Sequence, residues 1–207
     1  MDHLAQKERM TFEDRMRLVF KDIIGQITTF LMKSGIKPNN ITTLGLLGNI
    51  GAAILIGYGH LTIGGLLALF AGACDSLDGS LARARGEVTE WGAFVDSITD
   101  RYSEMVLLFG LQIYFMTQQN WIAMLLVYLA AAGSVMVSYV KARAEGLGYQ
   151  AKVGILTRFE RYLVLVPCLI FNIPVIGIWV IAIFANFTAL QRIYYVRRQV
   201  KMTASKN

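Results

Sequence analysis

The stretch Ala73 to Arg101, ACDSLDGSLARARGEVTEWGAFVDSITDR, decides how the chain is read. It holds two pairs of carboxylates, Asp75 with Asp78 and Asp96 with Asp100. Separations of three and four residues put each pair on one face of a helix. Long apolar segments flank the stretch, and a short polar turn at Gly86 to Glu90 divides the pairs. Two helices meeting at such a turn bring the four carboxylates together. Like charges that close repel, and apolar surroundings raise the cost. A divalent cation, or a pair of them, resolves the conflict, and an all-oxygen donor set suits Mg2+ or Mn2+.

The rest of the chain says what surrounds such a site. It has 207 residues, 55% of them hydrophobic and only 16% charged, with a mean hydropathy of +0.49. A soluble domain carries about 25% charged residues, so this chain lacks the polar surface to cover a globule. The net charge of +6 alone would fit nucleic acid, but the apolar content and the placement of the charges point to a bilayer instead. Cys74 and Cys168 give neither a ligand spacing nor a disulfide framework. His3 and His60 read as surface residues. The polar N-terminus, whose first apolar residues are interleaved with charge, predicts no cleavable signal peptide.

In chain order, Thr11 followed by Asp14 fits a helix N-cap. Phe12, Met16, Val19, Phe20, Ile23, Ile24, Ile27, Phe30 and Leu31 then recur at helical spacing, with Arg15, Arg17, Lys21 and Asp22 on the other side. This predicts an amphipathic helix in the membrane interface within residues 1–36; its later half could instead dip into the bundle. Residues 37–207 form the second unit. Lys37-Pro38 breaks the pattern, Asn39-Asn40 are placed to cap the next helix, and spans are expected at Ile41 to Tyr58, Leu61 to Arg85, Trp91 to Met116, Trp121 to Tyr139 with a polar continuation, from Arg158 to about Asn172, and Val175 to Tyr194. Gly45, Gly48, Gly51 and Gly57 make the first span suited to close helix packing. The turns near 58–61, 117–120 and 172–175 lack Lys and Arg, while the basic residues share the side of both termini, the 83–90 turn and the 146–157 loop. That bias predicts cytoplasmic termini. The expected fold is all-α: six transmembrane helices around a cytoplasm-facing polar cavity, in the cell membrane.

Written out, the acidic spacing is Asp75-x2-Asp78-Gly79-x2-Ala82-Arg83-x8-Gly92-x3-Asp96-x3-Asp100. Here the sequence resembles the CDP-alcohol phosphatidyltransferases, and all eight defined positions of that signature are met. The resemblance implies a metal-dependent enzyme that attacks a CDP-linked lipid and releases CMP. It assigns Asp75, Asp78 and Asp96 chiefly to Mg2+ or Mn2+, two ions in all, and Asp100 partly to metal and partly to a general base. Gly79, Ala82 and Gly92 lack bulk, so a nucleotide can approach there, and Arg83 can pair with phosphate or hold a carboxylate. Asn39 and Thr42 resemble the family's Pro-Asn-x-x-Thr pattern, which lines the nucleotide pocket; helix capping is a compatible role. A homodimer is implied by the same resemblance. A cation-transport path, or structural pairing of the aspartates with Arg83 and Arg101, is the competing reading.

The second half bears on the acceptor alcohol. Lys141, Arg143, Arg158, Arg161 and Arg192 stand near helix ends on the basic side. A phosphorylated acceptor needs such cations, and free inositol does not. Topology-setting charge explains Arg197, Arg198 and Lys201 well, and Lys141, Arg143 and Arg158 less well. The stretches SYVKARAEGLG, TRFER and LQR resemble the prokaryotic phosphatidylinositol-phosphate synthase branch, in which inositol 1-phosphate is the acceptor; Phe159 departs where relatives can have proline. That resemblance makes Lys141, Arg158 and Arg192 the foremost phosphate contacts. Phosphatidylglycerophosphate synthases, which also take an anionic acceptor, are the alternative, but their Gly-Lys-x-Lys-Thr stretch is missing after the fourth helix.

Overall fold

The structure, a computed structural model, describes residues 21–151 and 153–204. The expected cap at Thr11, the apolar positions Phe12 to Phe20, and Lys152 lie outside the described residues. Among those residues every regular element is an α-helix: α1 Lys21–Lys33, α2 Pro38–Gly57, α3 Leu61–Arg85, α4 Glu90–Thr117, α5 Trp121–Glu145, α6 Arg158–Ile170 and α7 Pro174–Ala204. Four of them, α2, α3, α5 and α7, are long and apolar enough to cross a bilayer.

The two remaining members of the expected six differ from that pattern for physical reasons. α4 has the length, 28 residues, but carries Glu90, Asp96, Asp100, Arg101 and Glu104, which lower its hydropathy. α6 has 13 residues, a reach of about 20 Å at 1.5 Å per residue, short of a hydrocarbon core about 30 Å thick. Its apolar run is cut at Phe171, where the chain turns.

Three tight turns at one end repeat a single solution. Gly59, Gln119 and Asn172 adopt left-handed backbone, with φ of 88°, 53° and 62°. The next N–H, of His60, Asn120 or Ile173, then reaches the carbonyl of Leu55, Phe115 or Cys168 at 2.9, 3.0 and 2.8 Å. This closure satisfies helix-end carbonyls that would otherwise be orphaned. At the other end of the bundle Gly86 closes α3 in the same way, Glu87 N–H bonding to Ala82 O at 3.0 Å. Thr89 then caps α4 by accepting the Gly92 N–H at 3.0 Å. α2 starts differently from expectation: Lys37 is its N-cap and Pro38 its first residue, so Asn39 and Asn40 fall inside the first turn.

Packing follows the small residues. α3 and α4 both lie along α2, α6 rests on α3, α5 packs on α4 and α7, α6 on α7, and α1 on α3. At Gly110 of α4 an added Cβ would stand 2.5 Å from Ala53 O of α2, and at Gly65 of α3 2.9 Å from Ile170 N of α6. Backbones come that near only where side chains are absent. Ala52, Ile56, Leu107, Leu111, Ala130, Leu169, Ile178 and Ala185 fill the core. Outside it, Phe70, Phe109, Trp121, Ile122 and Phe187 are all more than half exposed. An apolar exterior around tightly packed interior faces is what a bilayer solvates, so this is a membrane protein.

One ion pair is sealed in the bundle. Arg161 of α6, 1% exposed, donates Nε and Nη2 to the two carboxylate oxygens of Glu104 of α4 at 2.6 and 2.8 Å, and Nη1 to Leu156 O at 3.2 Å. The forked geometry uses both carboxylate oxygens. Removing one partner leaves a buried charge without compensation. Arg161→Met is therefore expected to cost about 3–5 kcal/mol, read as a lowered unfolding midpoint in detergent, and Arg161→Met with Glu104→Leu is expected to recover most of the loss.

Candidate active site

The four aspartates sit on facing helices across a gap. α3 presents Asp75 and Asp78 about three and two turns before its end at Arg85, and α4 presents Asp96 and Asp100 in its second and third turns. Because both helices pack along α2 rather than along each other, room is left between them. Arg158, the first residue of α6, reaches into that room. Its Nη2 lies 3.2 Å from Asp75 Oδ2 and its Nη1 2.5 Å from Asp100 Oδ2. Asp96 lies near enough for its charge to act on Asp75, Asp78 and Asp100. Side-chain exposure rises outward, 9% at Asp75, 17% at Asp100 and 34% at Arg158, so solvent reaches the acids past the guanidinium.

Each aspartate is set by its neighbours. Asp78 is 4% exposed. Its Oδ2 accepts from Thr42 Oγ1 of α2 at 2.5 Å, and its Oδ1 from the Gly79 N–H at 2.5 Å. Thr42 is thereby joined to the acidic site, whereas Asn39 is exposed and its backbone carbonyl accepts from Thr43 Oγ1 at 2.9 Å. Asp75 Oδ1 is buried and has no hydrogen-bond partner. It faces Gly45 of α2, where any Cβ would collide with it. An orphaned, buried carboxylate oxygen is costly unless something cationic meets it.

That orphan oxygen and the all-carboxylate donor set fit a hard divalent cation. Among the described residues, no three side chains of ligand type are arranged to hold a metal ion. The carboxylates surround the gap without closing on one point, and Arg158 spans part of it.

The small residues leave the approach open. At Gly79 an added Cβ would meet the Arg83 guanidinium, Nη1 at 3.4 Å and Nη2 at 4.0 Å, and at Gly92 Thr89 Oγ1 at 3.0 Å. Ala82 is half-buried one turn on. Arg83 is exposed and donates to Ser80 Oγ at 3.1 Å; it does not pair with an aspartate here.

The basic residues of the second half divide. Among the described residues, Arg158 is the one that touches the aspartates. Lys141 and Arg143 are exposed at the end of α5, Lys141 lying 3.9 Å from Glu145. Arg192 is 5% exposed and donates Nε to Val153 O at 2.8 Å and Nη1 to Val137 O at 2.7 Å; Nη2 takes part in neither bond. Arg161 corrects the sequence-based expectation of an acceptor contact: its guanidinium is buried against Glu104 and Leu156, so it is held internally.

Three residues were not foreseen. Glu104 continues the four-residue series Asp96, Asp100, Glu104 along α4, a signal visible in the sequence. Tyr162 packs its ring over Gly72 and donates its hydroxyl to Ala68 O, locking α6 onto α3 beside Asp75. Thr188 of α7 is fully buried and accepts from the N–H groups of Ile155 and Leu156 at 3.4 and 3.3 Å. Nothing in the sequence marks a lone threonine in an apolar helix for that role.

Comparison with known proteins agrees with this geometry. Residues 36–191 match the CDP-alcohol phosphatidyltransferase family. The archaetidylinositol phosphate synthase of Pyrococcus horikoshii is 33% identical over 190 residues, covering 91% of this chain and 98% of that protein. The phosphatidylinositol phosphate synthase of Streptomyces avermitilis is 30% identical over 200 residues, covering 88% and 81%. Among solved structures, the Mycobacterium tuberculosis phosphatidylinositol phosphate synthase with CDP-DAG bound superposes with a TM-score of 0.77 at 27% identity, covering 84% of this chain and 94% of that one. The same enzyme has also been solved with manganese and citrate. The chain belongs to the CDP-alcohol phosphatidyltransferase family and is a phospholipid-synthesising transferase of the membrane.

Proposed function

We propose that the enzyme transfers a phosphatidyl group from a CDP-linked lipid to inositol 1-phosphate, releasing CMP. The observation that carries the acceptor reading is Arg158. Among the described residues it is the cation of the second half that touches the aspartates, it is a third exposed, and it adjoins the carboxylate that would take the acceptor's proton. The named relatives support the same acceptor and a CDP-lipid donor.

Asp75, Asp78 and Asp96, with Asp100 at the edge, would hold Mg2+ or Mn2+, two ions in our reading. Such ions, when bound, neutralise the donor's pyrophosphate and polarise the phosphorus for attack. The chain's own residues do the rest. Thr42 fixes the Asp78 carboxylate. Gly79, Ala82 and Gly92 let the nucleotide approach, with Asn39 and Arg83 at the rim. Asp100 accepts the proton as the acceptor hydroxyl oxygen bonds to the lipid-side phosphorus, and the bond from that phosphorus to CMP breaks. Arg158 takes the acceptor's phosphate, assisted by Lys141, Arg143 and the remaining Nη2 of Arg192. Arg158 now pairs with Asp100, so seating the phosphate and releasing the base are one movement. We further read α4 and the short α6 as completing six spans, with α1 in the interface, both termini and the site cytoplasmic, and the protomer paired as a homodimer.

Asp100→Asn is expected to retain CDP-lipid binding and to lower CMP release by roughly a hundred-fold or more; wild-type turnover in a folded variant would refute the base. Labelled CDP-lipid offered inositol 1-phosphate, free inositol and glycerol 3-phosphate should turn over with the first; equal turnover with free inositol would dismiss the basic pocket. Gly45→Ala, which drives a methyl group into Asp75 Oδ1, should weaken Mn2+ binding, followed by electron paramagnetic resonance, and chelation should abolish turnover until the ion is restored.

A further inference from the structure

The loop 146–157 delivers Arg158 to the site, and beyond its first turn its backbone is tied chiefly by side chains. Three of those belong to α7. Thr188 Oγ1 accepts from the Ile155 and Leu156 N–H groups at 3.4 and 3.3 Å. Arg192 Nε donates to Val153 O at 2.8 Å. Gln199 grips Gln150 at two points, its Oε1 accepting from the Gln150 N–H at 3.3 Å and its Nε2 donating to the Gln150 carbonyl at 2.5 Å. Separations of four and eleven residues place all three on one stripe of α7. The stripe covers about 16 Å of helix axis, at 1.5 Å per residue, and runs beside the loop toward its junction with α6.

Where the loop passes closest, Gly154 has φ of 137°, and a Cβ there would collide with the methyl group of Thr188. Near the junction the Leu156 carbonyl is taken by the Arg161 side chain, the Thr157 N–H by Glu160 at 2.5 Å, and the Thr157 carbonyl by the Arg161 N–H at 3.0 Å. The backbone is thus held at Gln150, Val153, Ile155, Leu156 and Thr157 on the way to Arg158. A long arginine side chain is aimed only as well as the backbone that carries it.

We infer that Thr188, Arg192 and Gln199 form a splint on α7 that sets the reach of Arg158, and that Thr188 is a positioning residue for the acceptor. Thr188 touches no reacting group; it acts through the Ile155–Leu156 backbone. The inference rests on Arg158 meeting the acceptor's phosphate.

Thr188→Val keeps the shape of the side chain and removes its acceptor oxygen. The expected result is a rise in the KM for inositol 1-phosphate on the order of ten-fold or more, as a displacement of about an ångström at a binding group produces. The KM for CDP-diacylglycerol should stay unchanged, and Thr188→Ser should restore the acceptor KM. Amide hydrogen exchange should show Ile155 and Leu156 losing protection in the valine variant alone. An unchanged acceptor KM, or equal loss for donor and acceptor, overturns the splint. If the valine variant fails to fold, Gln199→Ala, at the exposed end of α7, carries the test with a smaller shift in the same direction, and no shift there overturns it. Wild-type turnover with phosphorylated and free acceptor is measured first. Absence of a preference refutes the role of Arg158, whereas lost amide protection with an unaltered acceptor KM refutes the splint alone.

Discussion

Arg158 spans the gap between Asp75 on α3 and Asp100 on α4, and the architecture can be understood from the demands of that contact. Four carboxylates between apolar helices need positive charge close by, because water reaches them only in part and they stand close together. The guanidinium meets part of that need with two separate nitrogens on two separate helices. It stays one-third exposed, so its interaction with the acids is tempered by solvent and can be exchanged for another anion. A fully buried pair would be too strongly committed to exchange.

One turn deeper lies the committed version. Asp100 and Glu104 are four apart on α4, and Arg158 and Arg161 three apart on α6. Both helices run inward from the same end, so the two pairs form rungs of one ladder. The inner rung, Arg161 with Glu104, is sealed; the outer, Arg158 with Asp100, is open to solvent. The inner rung fixes the register of α6 on α4, and that register places Arg158 at the acids. Tyr162 on Gly72 sets the same helix against α3. A buried ion pair is weak evidence for stability, but it can specify one alignment among several, and alignment is what the outer rung requires.

Much of this was legible in the sequence, for identifiable reasons. The bounds of α3 emerge from Leu61 and Arg85 because His60 and Gly86 flank an unbroken apolar-then-polar run. The acidic pairs fall on facing helices because their spacings are helical and the turn between them is short. Other features were not legible. Hydropathy from Arg158 to Asn172 does not show how short the helix is, 13 residues before the chain turns at Asn172. Asn39-Asn40 look like caps, yet Pro38 claims the first helical position and moves the cap back to Lys37. Spacing shows which residues share a face; it does not show which face meets which partner, so the partners of Glu104 and Thr188 stayed hidden.

The basic residues show why partner matters more than charge. Arg197, Arg198 and Lys201 are exposed at the far end of α7; they suit the role of orienting charge, since solvated cations beside a membrane bias topology without needing a partner. Arg161 has equal charge but reaches Glu104, and desolvation makes that union nearly permanent. Arg192 reaches only backbone carbonyls, which carry partial charge, so it anchors chain rather than neutralising acid. Arg158 reaches the aspartates while keeping contact with water. The differences follow from burial and from what lies within a side chain's length. In this bundle the same residue type therefore serves orientation, cohesion, anchoring and recognition, and the helix packing decides which.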